Sequence, residues 1–128
     1  MDKSTTASAS RAAAEAGATA ARAYAAACVY AASIGDADMA ARLRAKAMDA
    51  QATAAAGMDE CRATAANMPT STHIARDAQR ARVAYWRADA ATSAAATADR
   101  GVRMPGFTVD YADCARQVVK SATLYRGD

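Results

Sequence analysis

One histidine, three cysteines and thirteen carboxylates are the raw material from which this chain could build a reactive centre. His73 stands alone, beside a helix start and with no cysteine near it in sequence. A single imidazole cannot form a histidine-rich metal site, and a Cys–His nucleophile pair would have to be assembled by the fold. His73 is expected to be an exposed or capping residue. Cys28, Cys61 and Cys114 are odd in number, widely spaced and lack a Cys-x-x-Cys motif. They fall on apolar helix stripes and read as small buried hydrophobes, not as a disulfide framework or a redox pair. Asp36, Asp38, Asp110 and Asp113 sit at helix starts, where unpaired N–H groups and the macrodipole favour a carboxylate. No calcium loop, phosphate-binding glycine loop or Gly-x-Ser-x-Gly elbow is present. The expectation is therefore no enzyme, no metal and no cofactor.

One set of surface residues stands out. Arg76, Arg80 and Arg87 recur on one face of a helix with Val83 between them, and Arg82 and Trp86 flank that face. Trp86 is the only tryptophan, and it lies off the inward stripe that holds Tyr85. Trp and Arg are enriched at binding hot spots, so these six residues are the candidate partner-binding site. The bland alternative has Trp86 packing at a helix flank above a solvated arginine face. A protein partner with an acidic surface is favoured over nucleic acid, because Asp77 and Asp89 interrupt the stripe and the net charge is only +3.

The elements that must position these residues are declared by alanine. Forty-two of the 128 residues are Ala, against two Leu, two Ile, one Phe and one Trp. Alanine is the best helix former and loses no rotamer freedom. Convincing breaks occur only at Gly35-Asp36, at Met68 to Ser71, and from Gly101 to Thr108. They predict helices over about 6–34, 37–67, 72–100 and 110–125. Gly35 and Gly101 are expected as C-terminal caps, and Asp36 as an N-cap. The fold class is all-α: a single domain over residues 1–128, an antiparallel bundle of three long Ala-rich helices plus one shorter C-terminal helix.

The inward stripes can be counted. Helix 1 offers Ala13, Gly17, Ala20, Tyr24, Ala27, Cys28, Ala31 and Ile34, with Val29 and Tyr30 left outside. Helix 2 offers Met39, Leu43, Ala47, Ala50, Ala54, Gly57, Met58, Cys61, Ala65 and Met68. Helix 3 offers Ile74, Ala78, Ala81, Tyr85, Ala88, Thr92 and Ala96, and helix 4 Tyr111, Cys114, Ala115, Val118, Val119, Ala122 and Tyr125. At a rise of ~1.5 Å per residue, Gly17 and Gly57 fall near one level, which lets helices 1 and 2 approach to ~8 Å. Cys28 and Cys114 fall at similar heights at the Gly35 end, where contact or oxidation is open. An alanine core is thin, since a buried Leu is worth ~1.5–3 kcal/mol and an Ala methyl well under half of that. A marginal monomer or, in preference, an oligomer that buries further alanine seams is therefore expected.

The alanine-rich stretch from Ala12 to Ile34 carries Glu15 and Arg22 and is too weakly apolar for a membrane span. With no secretory signal pattern, a cytoplasmic location is expected. The favoured function is a non-enzymatic helical interaction protein, of the inhibitor, immunity, adaptor or virus-encoded accessory type. A structural subunit of a larger helical assembly comes second. A small helical ligand carrier or enzyme around Tyr24, Cys28 and Cys114 comes last, because alanine seams leave little room for a ligand.

Overall fold

The computed structural model describes residues 2–123, which form four α-helices and, among the described residues, no strand. They are α1 (Lys3–Ser33), α2 (Ala37–Ala66), α3 (Thr72–Arg103) and α4 (Tyr111–Thr123). Each starts on a side-chain cap. Asp2, Asp36, Ser71 and Asp110 accept from the backbone N–H of Ser4, Met39, Ile74 and Asp113 respectively. The expected helix 1 therefore begins three residues early, because Asp2 serves as its cap. His73 is exposed in the first turn of α3, and the cap there is Ser71. The helix 1 stop is as expected. Gly35 has φ +81°, the Asp36 N–H donates to the Ala31 carbonyl at 2.9 Å, and the Gly35 N–H donates to the Ala32 carbonyl at 3.0 Å.

Gly101 does not end α3, which continues to Arg103. Val102 joins the core cluster with Cys114 and Val118 of α4, and a Cβ on Gly101 would run into the Val109 side chain. The glycine makes room for the connection that brings α4 back. The expected helix 4 residue Tyr125 lies outside the described residues.

Cross-helix contacts fix the directions. Gly17 lies on Ala54 while Gly57 lies on Ala14, so α1 and α2 are antiparallel. Arg11 pairs with Asp77 and Glu15 with Arg80, so α1 and α3 run parallel. Arg44 pairs with Asp99 and Gln51 bonds Asp89, so α2 and α3 are antiparallel. The short α4 packs on α1 and α3 and, among the described residues, does not touch α2.

α1 thus meets all three other helices, and this widens its buried arc beyond one stripe. Val29, expected outside, is buried in the cluster with Cys28, Cys114 and Val118. Ile34, expected inside, is 62% exposed because it is the C-cap, beyond the last turn that α2 covers. Ala13 is exposed as well, because Ala14 takes its place in the core. On α2 the stripe is shifted by a residue at its start: Ala40 is buried, and Met39 and Met68 at the two ends are exposed. On α4, among the described residues, only Cys114, Val118 and Ser121 are buried, and Ala115, Val119 and Ala122 face water, since no other described helix covers that flank. The end opposite Gly35 is closed by Cys61, Ile74 and Met58, not by alanine and glycine alone.

Two carboxylates enter the interior of α3. Asp99 is fully buried and is held by Arg44 of α2 at 3.1 Å and by Arg103 one turn on. Asp77 is buried against Arg11 of α1 at 3.1 Å. A buried charge is tolerated only when paired, and the three arginine partners here come from other helices or the next turn.

Candidate functional site

The six candidate residues all lie on α3, but the bundle divides them between two flanks. Arg80 turns to α1 and pairs with Glu15 at 3.3 Å. Arg87 lies seven residues on from Arg80, and its charge adds to burial in lowering the pKa of Arg22 on α1. Arg82 turns the other way. With Gln79, Ala75 and Ala78 it lines a shallow groove of about 310 Å³ whose far wall is Arg62, Ala65 and Ala66 of α2. Its guanidinium bonds the Gln79 side chain and lies 5.9 Å from the centre of the Trp86 ring.

Trp86 stands between the two flanks and is 44% exposed. Val83, one turn earlier, is half-buried, and Arg76 at the start of the helix is exposed. The face is therefore a single aromatic ring on a rigid helix, with an arginine stacked on one side and arginines of α1 and α3 on the other. The two acids expected to interrupt it are both turned aside. Asp77 is turned inward onto Arg11, and Asp89 accepts from Gln51 of α2 at 2.8 Å. Asp77 is thereby neutralised by Arg11, while Asp89 keeps its charge at the surface and is turned towards α2 by the Gln51 amide.

The sequence reading missed two contributors, Arg22 and Arg62, because each enters the face from another helix. Spacing holds a signal for Arg22. Arg22 follows Glu15 by seven residues as Arg87 follows Arg80, so parallel helices that pair 15 with 80 also bring 22 opposite 87.

The cysteines are buried and unoxidised. Cys28 and Cys114 share one core cluster, but the Cys28 thiol donates to the Ala40 carbonyl at 3.3 Å and lies 3.6 Å from the Ala95 carbonyl. Burial, helped by Asp99, pushes the Cys28 thiol up to about 11. Burial also raises the Cys61 and Cys114 thiols, and Asp113 and Asp110 add to the rise at Cys114. All three are held as thiols, the unreactive form. Among the described residues no group of three His, Cys, Asp or Glu side chains is placed to hold a metal ion. No described helix is long and apolar enough to cross a membrane.

Comparison with protein-family models, with curated proteins and with solved structures finds no match for this chain.

Proposed function

We propose that this protein is a non-enzymatic interaction protein that presents the outer face of α3 to a partner protein carrying an acidic surface. The observation that carries this reading is Trp86, a large aromatic ring left 44% exposed in mid-helix with Arg82 over it. A tryptophan with an adjacent guanidinium on a rigid helix offers contact area at little entropic cost, which is the character of a binding hot spot. The pairing of Asp77 with Arg11 inside the bundle, and the turning of Asp89 towards Gln51 of α2, leave arginine as the charge beside the ring and favour a negatively charged partner. Val83 supplies further apolar contact beside the ring.

The test is the pair Trp86→Ala and Arg82→Glu. Arg80 is unsuitable for charge reversal, since its pair with Glu15 helps to hold α1 on α3. The double variant keeps its helical circular dichroism and loses the partner that the wild type captures. Recovery of the same partner at the same yield would refute the reading. Trp86 is the only tryptophan, so its emission reports the contact directly and shifts to the blue as the ring leaves water.

A second reading is self-association into a larger helical assembly. It rests on Tyr30, Ile34 and Met39, which are 67%, 62% and 38% exposed around the turn between α1 and α2. Under this reading sedimentation gives an oligomer that Tyr30→Arg with Ile34→Arg dissociates. A wild-type monomer at all concentrations removes it.

A further inference from the structure

Three charged positions of α1 face α3 along the parallel seam between the two helices, and they form a ladder. Its first rung is Arg11 with Asp77, 3.1 Å apart, and its second is Glu15 with Arg80, 3.3 Å apart. Each rung joins opposite charges. The third rung lies seven residues further along both helices and joins Arg22 to Arg87. It is the one rung of the three whose two positions are both cations.

Nothing among the described residues compensates them. Positions three and four residues to either side of Arg22 are Ala18, Thr19, Ala25 and Ala26. The corresponding neighbours of Arg87 are Val83, Ala84, Ala90 and Ala91. Asp89, next but one to Arg87, is bonded to Gln51 on the α2 side. Both arginines are half-buried, and the Nε of Arg87 is shielded from solvent with no hydrogen-bond partner. The ordinary guanidinium pKa of Arg22 is lowered, first by burial and then by the charge of Arg87. Two partly desolvated guanidiniums, brought to one level of the seam by the register of the first two rungs, form a receptor for an anion with at least two oxygens.

We propose that Arg22 and Arg87 form an oxyanion clamp on the α1–α3 seam that takes the carboxylate or phosphoryl group of a bound molecule. The clamp borders the Trp86 face and rests on the contact-surface reading only for the identity of the molecule that carries the anion. The site itself is tested with small ions. An oxyanion supplies the negative charge that Glu15 supplies one rung earlier, so binding relieves the repulsion and raises stability.

The experiment is titration of the purified protein with inorganic phosphate and, separately, with succinate, at constant ionic strength set by sodium chloride. Arginine Nε–H resonances and the thermal midpoint are both read. The wild type gives saturable shifts of the Arg22 and Arg87 signals and a higher midpoint. Arg22→Gln and Arg87→Gln each weaken binding by about tenfold or more, in line with loss of a charge-assisted contact. Arg100→Gln, which alters an exposed arginine of the same helix outside the candidate face, leaves it unchanged. Arg22→Glu completes the ladder: it raises the midpoint in the absence of anion and abolishes the response, which a merely structural arginine would not do. A response to phosphate alone assigns a phosphoryl group, to succinate alone a carboxylate, and to both a general oxyanion site. Absence of saturable shifts with both ions, or binding retained within twofold in Arg22→Gln, overturns the clamp. Trp86→Ala keeps the small-ion response, so failure of the partner-binding face and failure of the clamp give different results.

Discussion

Gly17 and Gly57 are reciprocal: each lies against the backbone of the other's helix, one turn from the other. A Cβ on Gly17 would stand 2.8 Å from the Ala54 nitrogen and 2.9 Å from the Ala50 oxygen. A Cβ on Gly57 would stand 2.7 Å from both the Ala14 nitrogen and the Ser10 oxygen. The obstacles are backbone atoms, which cannot swing aside as a long side chain would. This two-way contact sets how close α1 and α2 lie, and every alanine between them is placed accordingly.

Gly17→Ala and Gly57→Ala are each expected to destabilise the fold by about 1–3 kcal/mol, the usual range for overpacking, despite the gain in helix propensity. Both press on the same helix pair. Once one substitution has separated α1 from α2, the second meets less resistance, so the double variant loses less than the sum. Urea denaturation of the two single variants and the double variant checks the sign and the shortfall. A stabilised single variant would show that the close approach is not as described.

Asp99→Ala is expected to lose about 3 kcal/mol, the low end of the range for breaking a buried ion pair. The carboxylate is fully buried, but Arg44 and Arg103 are 33% and 47% exposed and turn back to water when it is removed. Arg103→Ala loses less, because Arg44 still holds the carboxylate from α2. Ranking the three variants in chemical denaturation, with Arg44→Ala between the other two, tests the assignment.

Cys28 predicts a pH dependence. Its thiol is raised from an ordinary 9.0 to about 11 by burial and by Asp99. The folded state therefore favours the neutral thiol more than the unfolded state does. The stabilisation is fully present below pH 9 and is lost as pH rises from about 9 towards 11. Cys28→Ala flattens the curve of stability against pH in that window. At pH 8 the raised pKa leaves the native thiolate about 100-fold scarcer than in the unfolded chain, so labelling by a disulfide reagent is correspondingly slow.

Gly101→Ala drives a methyl into Val109 and is expected to lift the connection and α4 away from α3, losing about 1–3 kcal/mol. Val109→Ala opens the space that the new methyl needs, so the double variant recovers part of the loss. A denaturation cycle over the four proteins reads the coupling directly.

Much of this fold is written in local terms. The four helices, the Gly35 stop, the Asp36 cap and the Gly17–Gly57 approach follow from propensity, turn chemistry and rise per residue. The departures are all tertiary. Asp77 and Asp99 sit in the interior, because Arg11 and Arg44 reach them from helices tens of residues away. Val29 is buried and Ile34 exposed, because α1 has three neighbours and its C-cap has none. Gly101 lies inside a helix, because Val109 returns to occupy the space where a side chain would stand. The candidate face was legible as a set of residue types. Its division into two flanks was not, since that depends on which neighbour each arginine meets.

The alanine seams leave the interior a single direction of change. A buried methyl cannot be trimmed except to glycine, which costs about 1 kcal/mol per position in a helix, and it cannot grow without parting the helices. Sequence change is thereby channelled to the outer faces, where Trp86 and Tyr30 stand exposed. Residues on those faces can be exchanged without having to solve the folding problem a second time.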